Sequence, residues 1–307
     1  MAYLHSDREQ FRDAIDLAYE QTGVMVQAIE KDYYVTMLLR LLAQKMPYIV
    51  FKGGTSLSKC HKVIRRFSED IDITIDTLLS QGQKKKIKQA IVDSAQELGM
   101  TIENLDETRS RRDYNRYVIA YDSVIPMASD ALKAAVLLET SYTAVSFPTV
   151  LLPVHSYIGD MMEQEAPDAI EEYNLNPFEM KVQGIDRTLA DKVFAICDYY
   201  LQGKVAKHSR HLYDIYKLLP LVPQDENFRE LVKEVRAVRA QSVICPSALP
   251  EADVPELLEK IIKEKAYKQD YDSLTTQLLE ENMPYDTVIA ALKQIADGAM
   301  FDNTYGG

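Results

Sequence analysis

The apolar positions of the chain fall into two regimes. Up to about residue 185, short strand-like runs alternate with helical segments; beyond it, the spacing is helical almost throughout. Ser6 and Glu9 have capping-box spacing, which predicts a helix over residues 7–23 with Gly23 as its natural end. A second helix is expected over 25–45, before Pro47. Residues 48–51 are apolar and strand-prone, Gly53-Gly54 ends them, and a helix over 55–64 follows. Over 67–76 the alternation is regular. Ile71, Ile73 and Ile75 share one side, and Asp70, Asp72, Thr74 and Asp76 the other: a half-buried strand with an acidic face. A helix over 80–98, strands over 114–122 and 133–142 with a turn at Ile125-Pro126, and a last strand over 178–185 complete the first part. Helices then follow over 187–201, 208–219, 227–241, 254–268, 271–281 and 285–299, and the tail from Asp302 to Gly307 reads as loose. The expected fold is α+β: a mixed β-sheet with flanking helices over 1–185, then a helical bundle over 186–307.

Composition adds exclusions. The 307 residues suffice for two domains. Cys60, Cys197 and Cys245 are scattered and odd in number, so no disulfide framework is implied. No leader pattern and no run near the ~18 apolar residues of a membrane span is visible, so the expected location is the cytoplasm, without membrane association. A net charge of −12 argues against a protein that coats nucleic acid with its whole surface. Basic residues still cluster: Lys59, Lys62, Arg65 and Arg66; then Lys84, Lys85, Lys86 and Lys88; then Arg109, Arg111, Arg112 and Arg116. Any one cluster reads as a solvated face. Three of them within 120 residues predict that this half meets an anion.

The chemistry concentrates in residues 53–72, GGTSLSKCHKVIRRFSEDID. Glycines let backbone approach a ligand closely, and a helix start presents unbonded N–H groups to phosphate. Thr55 and Ser56 can add hydroxyl donors. Asp70 and Asp72, two apart on a strand, share a face roughly 7 Å apart along it. Such a pair suits Mg²⁺, which takes one or two carboxylates and leaves positions for substrate phosphates. Neither GG nor D-x-D means much alone. In the order GGTS, thirteen residues, D-x-D, on strand, helix and strand, they make the minimum apparatus for nucleotidyl transfer.

This segment resembles motif I of the DNA polymerase β-type nucleotidyltransferases and, more closely, the AbiEii/AbiGii toxin family. FKGGTSLSK at 51–59 and RFSEDIDI at 66–73 carry the likeness. IEKDYYVTMLL at 29–39, RTLADKVFAICDYY at 187–200 and SRHLYDIYKLL at 209–219 extend it over about residues 25–220. The resemblance implies that Gly53, Gly54, Thr55 and Ser56 hold nucleotide phosphates, with Lys59, Arg66 and Ser68 beside them. It implies that Asp70 and Asp72 bind Mg²⁺, with room for two ions. Lys192 and Asp214 match the lysine and aspartate of the second signature, and Lys192 would touch the triphosphate. Asp191 stands where glutamate is frequent, keeping the carboxylate. Ser68 resembles a serine whose modification silences such toxins. The fold often supplies a third carboxylate; Glu139, inside apolar AAVLLETSY, is the candidate for a metal or general-base role, a strand-edge pair with arginine being the alternative.

The expected activity is Mg²⁺-dependent transfer of a nucleoside monophosphate from an NTP to an acceptor hydroxyl. The resemblance points to a tRNA 3′ end as acceptor and to growth arrest in a toxin–antitoxin or phage-defence pair with a cognate antitoxin. Two rivals stand beside it: transfer to a small molecule or protein, and a silent relative that only binds nucleotide or partner. His208, Arg210 and His211 read as a support network for Asp214, and Glu30, Lys31 and Asp32 as structural.

Overall fold

The computed structural model describes residues 2–66, 68, 70–126 and 133–302 of the chain. Phe67 and Glu69 of the RFSEDIDI motif and the tail beyond Asp302 lie outside the described residues. The chain divides into two compact units. Unit 1 comprises 1–61 and 68–183; unit 2 comprises 62–67 and 184–307.

Unit 1 opens with α1 (Arg8–Thr22) and α2 (Val26–Lys45). The cap of α1 is Asp7 rather than Ser6: its carboxylate accepts from the Glu9 and Gln10 N–H groups, each at 3.1 Å. Gly23, at φ 69°, ends the helix in the left-handed region. There follow β1 (Ile49–Lys52), α3 (Gly53–Lys59), β2 (Asp70–Ile75), α4 (Gln81–Glu97), the short β3 (Thr101–Ile102), β4 (Tyr114–Ala120) and β5 (Ala135–Val145). Ser80 and Gln83 form a capping box on α4. Next come β6 (Thr149–Val154), α5 (Tyr157–Glu165), α6 (Pro167–Glu172) and β7 (Phe178–Gln183). Neither β6 nor α5 and α6 was legible in the apolar pattern, since β6 alternates weakly and shows Val150 and Leu151 to solvent.

The strands form one mixed sheet in the order β3-β4-β5-β2-β1-β7-β6. β2 lies at its centre, antiparallel to β1 and parallel to β5. Ile71, Ile73 and Ile75 are at most 1% exposed and join Phe11, Leu38, Leu42, Ile91 and Leu138 in the core. Each such side chain contributes about 1.5–3 kcal/mol by burial. The opposite face of β2 carries Asp70, Asp72 and Thr74. Burial of one face therefore sets the register that turns both acids to the other.

Unit 2 is helical: α7 (Ile185–Leu201), α8 (Arg210–Leu218), α9 (Glu226–Arg239), α10 (Val254–Glu264) and a last helix, Tyr285–Ala296. The single helix expected over 271–281 is broken into short turns, including a π-turn at Tyr271–Thr275. Among the described residues no helix is long and apolar enough to cross a membrane.

The helix expected over 55–64 spans only Gly53–Lys59. The reason is tertiary. The chain enters unit 2 at Lys62, where the Arg65 N–H donates to the Tyr213 hydroxyl (3.0 Å), and the Arg65 carbonyl accepts from Glu280 N–H (3.1 Å). Arg66 makes an isolated antiparallel bridge with Leu279. These bonds require extended backbone, so the helix stops.

Candidate active site

β1 delivers the chain to Gly53, whose φ of +80° is a conformation that L side chains rarely adopt. The reason for glycine is also steric. A Cβ at this position would lie 1.9 Å from Asp72 Oδ2 and 2.8 Å from Asp72 Cγ. The Asp72 carboxylate thus rests directly on the Gly53 backbone, where the first turn of α3 begins. First-turn N–H groups have no acceptor four residues back and can face an anion.

The hydroxyls of this turn face inward. Ser56 Oγ donates to the Gly53 carbonyl (2.9 Å), and Ser56 is fully buried. Thr55 Oγ1 donates to the Asp70 carbonyl (2.6 Å) and shares a hydrogen bond with Ser68 Oγ (2.9 Å). Thr55 thus ties α3 to β2, and Ser56 closes the first turn of α3 on itself. Ser68, half-buried, belongs to the same knot.

Cross-strand register assembles the rest of the face. Asp72 pairs with Lys52 on β1 and with Glu139 on β5, and Glu139 pairs with Arg116 on β4. Register partners point to the same side. Lys52, Asp70, Asp72, Glu139 and Arg116 therefore share it, with Tyr114 two residues before Arg116. Glu139 Oε1 lies 3.6 Å from Arg116 Nε. Burial, followed by Glu139 and then Asp72, pushes the Tyr114 hydroxyl up to about 12. Among the described residues no three His, Cys, Asp or Glu side chains converge as a ready metal set. Glu139 faces Arg116 on one side and is in register with Asp72 on the other. Two carboxylates still fit Mg²⁺, which uses one or two and takes its remaining oxygens from water and phosphate. Lys52 and Tyr114 were not singled out from the sequence. Lys52 had a signal, since it stands directly before Gly53; Tyr114 becomes a neighbour of Asp72 only through two strand pairings.

Two cations expected at the nucleotide each pair with a carboxylate. Lys59 Nζ pairs with Asp32, whose other oxygen accepts from the Tyr157 N–H (3.0 Å). Arg66, 3% exposed, binds Asp214 through Nε (2.7 Å) and Nη2 (2.8 Å). The physical reason is burial: a cation without water needs a carboxylate partner.

Unit 2 brings Lys192 and Asp214 together with that arginine. Lys192 Nζ donates to Asp214 Oδ2 (2.6 Å) and lies 3.5 Å from His211 Nδ1. Burial works against the Asp214 anion, but Arg66 and Lys192 outweigh it and hold the carboxyl well below the usual range. Burial draws the Lys192 ammonium down, against Asp214. His211 lies against Lys192, itself bound to Asp214, while His208 stacks on Tyr199 with ring centroids 3.5 Å apart. This cluster anchors residues 62–67, the segment from which the chain returns to unit 1 just before Asp70. Asp214→Ala leaves two buried cations without their shared anion, and the expected loss is about 3–5 kcal/mol in urea unfolding. A loss below about 1 kcal/mol would remove the anchoring role.

Acid sensitivity follows from the same place. Burial first, then Lys192, drives the His211 pKa well below 6.5. As pH falls through 6.5, the unfolded chain takes up a proton that the folded chain refuses, so stability declines from about 6.5 downwards. The slope from His211 approaches about 1.4 kcal/mol per pH unit. Asp214 contributes stability above its unfolded value near 3.8, which is lost on further acidification. His211→Gln flattens the upper part of the profile; an unchanged urea midpoint between pH 7 and pH 5 in the wild type contradicts this.

A family model described as "Nucleotidyl transferase AbiEii toxin, Type IV TA system" matches residues 36–293. The chain belongs to the AbiEii nucleotidyltransferase toxin family. This AbiEii chain is accordingly a nucleotidyltransferase toxin of a type IV toxin–antitoxin system. The match runs well beyond residue 220, where the likeness read from motifs ended. Among solved structures, MenT4, a nucleotidyltransferase toxin from Mycobacterium tuberculosis H37Rv, shares the fold. Its TM-score is 0.50 at 16% identity, over 92% of this chain and 87% of that one. No curated protein matches the chain.

Proposed function

We propose that this AbiEii protein transfers a nucleoside monophosphate from an NTP to an acceptor hydroxyl in a Mg²⁺-dependent reaction, with a tRNA 3′ end as acceptor. The observation that carries the reading is the seating of the Asp72 carboxylate on Gly53 at the first turn of α3. It sets a carboxylate for a divalent cation against backbone donors for phosphate. In this reading the N–H groups of Gly54, Thr55 and Ser56 receive the triphosphate, and Asp70 and Asp72 hold the cation. When bound, the cation neutralises charge on the triphosphate and on the departing pyrophosphate. In this reading Glu139 receives the acceptor hydroxyl's proton or adds an oxygen ligand, which its register with Asp72 supports. The acceptor's oxygen forms the new bond to the α-phosphorus, and the bond to the pyrophosphate oxygen breaks.

In the cell the reading is growth arrest in a cytoplasmic toxin–antitoxin or abortive-infection pair, relieved by the cognate antitoxin. The family supports the toxin and its partner; the acceptor rests on the motif resemblance and on the basic segments of unit 1. The test is incubation of the purified protein with each of four α-labelled NTPs, Mg²⁺ and total RNA. Label on the tRNA fraction from one or more NTPs supports the reading. Label on protein or metabolite, with none on RNA, replaces the acceptor.

A further inference from the structure

Segments 84–88 and 106–116 carry eight basic and three acidic residues in a chain of net charge −12. In unit 1 the two segments are brought together. Lys84 and Lys88, one turn apart on α4, reach the two ends of the loop before β4: Lys84 pairs with Asp113, and Lys88 Nζ donates to the Thr108 carbonyl (3.0 Å). Asn115, 5% exposed, fixes the loop from the other side. Its Oδ1 accepts from the Arg109 N–H (2.8 Å), and its Nδ2 donates to the Arg109 carbonyl (3.1 Å). A turn bond from Arg112 N–H to the Arg109 carbonyl (3.0 Å) closes it. The loop is therefore built rather than slack, and it holds Arg109, Arg111 and Arg112 at the surface.

The same strand continues from this loop to the catalytic face. Tyr114, 51% exposed, pairs in register with Ser141, and Arg116 pairs with Glu139, itself the partner of Asp72. An exposed aromatic ring, its hydroxyl hydrogen-bonded to Glu139, stands next to carboxylates at the end of a row of arginines. It is the arrangement that holds a single-stranded nucleic acid: cations along the backbone and a ring for a base.

We propose that this loop and the start of β4 form the rest for the RNA acceptor, with Arg111 and Arg112 meeting backbone phosphates and Tyr114 stacking on the base nearest the reacting 3′ hydroxyl. This rests on the RNA reading above and adds to it the surface that receives the strand. The excess of positive charge on the loop recognises any polynucleotide backbone, so binding is salt-dependent and weakly selective for sequence; selection of the end comes from Tyr114 beside Asp72 and Glu139.

The test measures a fluorescein-labelled single-stranded RNA with a free 3′ hydroxyl by anisotropy over a salt series, and Mg·NTP by calorimetry, on the full chain. The double variant Arg111→Gln/Arg112→Gln is expected to weaken RNA binding at least tenfold. Its log–log salt slope falls by about 1.4, from two lost phosphate contacts at about 0.7 each. Its Mg·NTP affinity and thermal melt stay at wild type. Tyr114→Ala raises the acceptor KM roughly 5- to 100-fold, and Tyr114→Phe, which keeps the ring, stays within about twofold of wild type. If wild type labels RNA while the double variant binds RNA as tightly and with the same salt slope, this surface is wrong and the acceptor stands. If wild type neither binds nor labels RNA, the acceptor reading falls first. Loss of labelling of a protein acceptor in the double variant makes the loop a protein dock and overturns the proposal.

Discussion

Asp72→Asn lowers nucleotidyl transfer by at least about a thousandfold and leaves the fold intact. The substitution keeps size and shape at a half-buried strand position, so the core side of β2, with Ile71 and Ile73, is untouched. What changes is charge. An amide offers one neutral oxygen where the carboxylate offered an anion, beside Asp70 and at the start of α3. Removing single electrostatic groups at such sites commonly slows the chemical step by about 10²–10³, and groups that act as a unit lose more. The measurement is single-turnover transfer from labelled NTP, with Mg·NTP affinity by calorimetry and a urea melt in parallel. Weakened Mg·NTP binding with an unchanged melt is the expected pattern. Wild-type affinity together with wild-type turnover would remove Asp72 from the site.

Gly53→Ala is expected to act almost as strongly, for a different reason. At φ +80° an alanine is strained by about 1–2 kcal/mol. Its methyl would also occupy the place of Asp72 Oδ2, so either the carboxylate or the first turn of α3 must move. Loss of stability stays near about 1–3 kcal/mol, whereas activity falls by at least about a hundredfold, because small misplacements of a reacting geometry are costly. Gly99→Ala is the control. That glycine has φ +65° with nothing within 4 Å of a built Cβ, so it carries the strain without the collision. Its variant should lose stability alone. Equal activity in Gly53→Ala and Gly99→Ala would mean that the apposition of Gly53 and Asp72 has no role in the reaction.

The clearest reading from sequence was β2, since alternation of Ile71, Ile73 and Ile75 with Asp70 and Asp72 follows from the two-residue period of a strand. The glycine pair was legible as a turn for the same local reason. The partnership of Arg66 with Asp214 was not, because 148 residues separate them and nothing local marks which cation a buried aspartate will take. The family resemblance set Lys59 and Arg66 beside the nucleotide phosphates. The fold gave both to internal carboxylates, Asp32 and Asp214, because both side chains are buried and need an anion. β6 and the broken turns after Tyr267 escaped for a related reason: their conformations depend on what they pack against.

The sequence by itself determined the parts of this toxin that obey local periodicity: the helices of unit 2, the acidic face of β2, the glycine turn before α3, and the membership of its motif set. Only the tertiary structure decided which charges stand open and which are neutralised. It was register across β1, β2, β5 and β4 that set Lys52, Glu139, Arg116 and Tyr114 beside Asp72. Strand pairing joins residues far apart in the chain, and burial forces charges to find partners wherever the fold places them; neither leaves a local trace in the order of the residues.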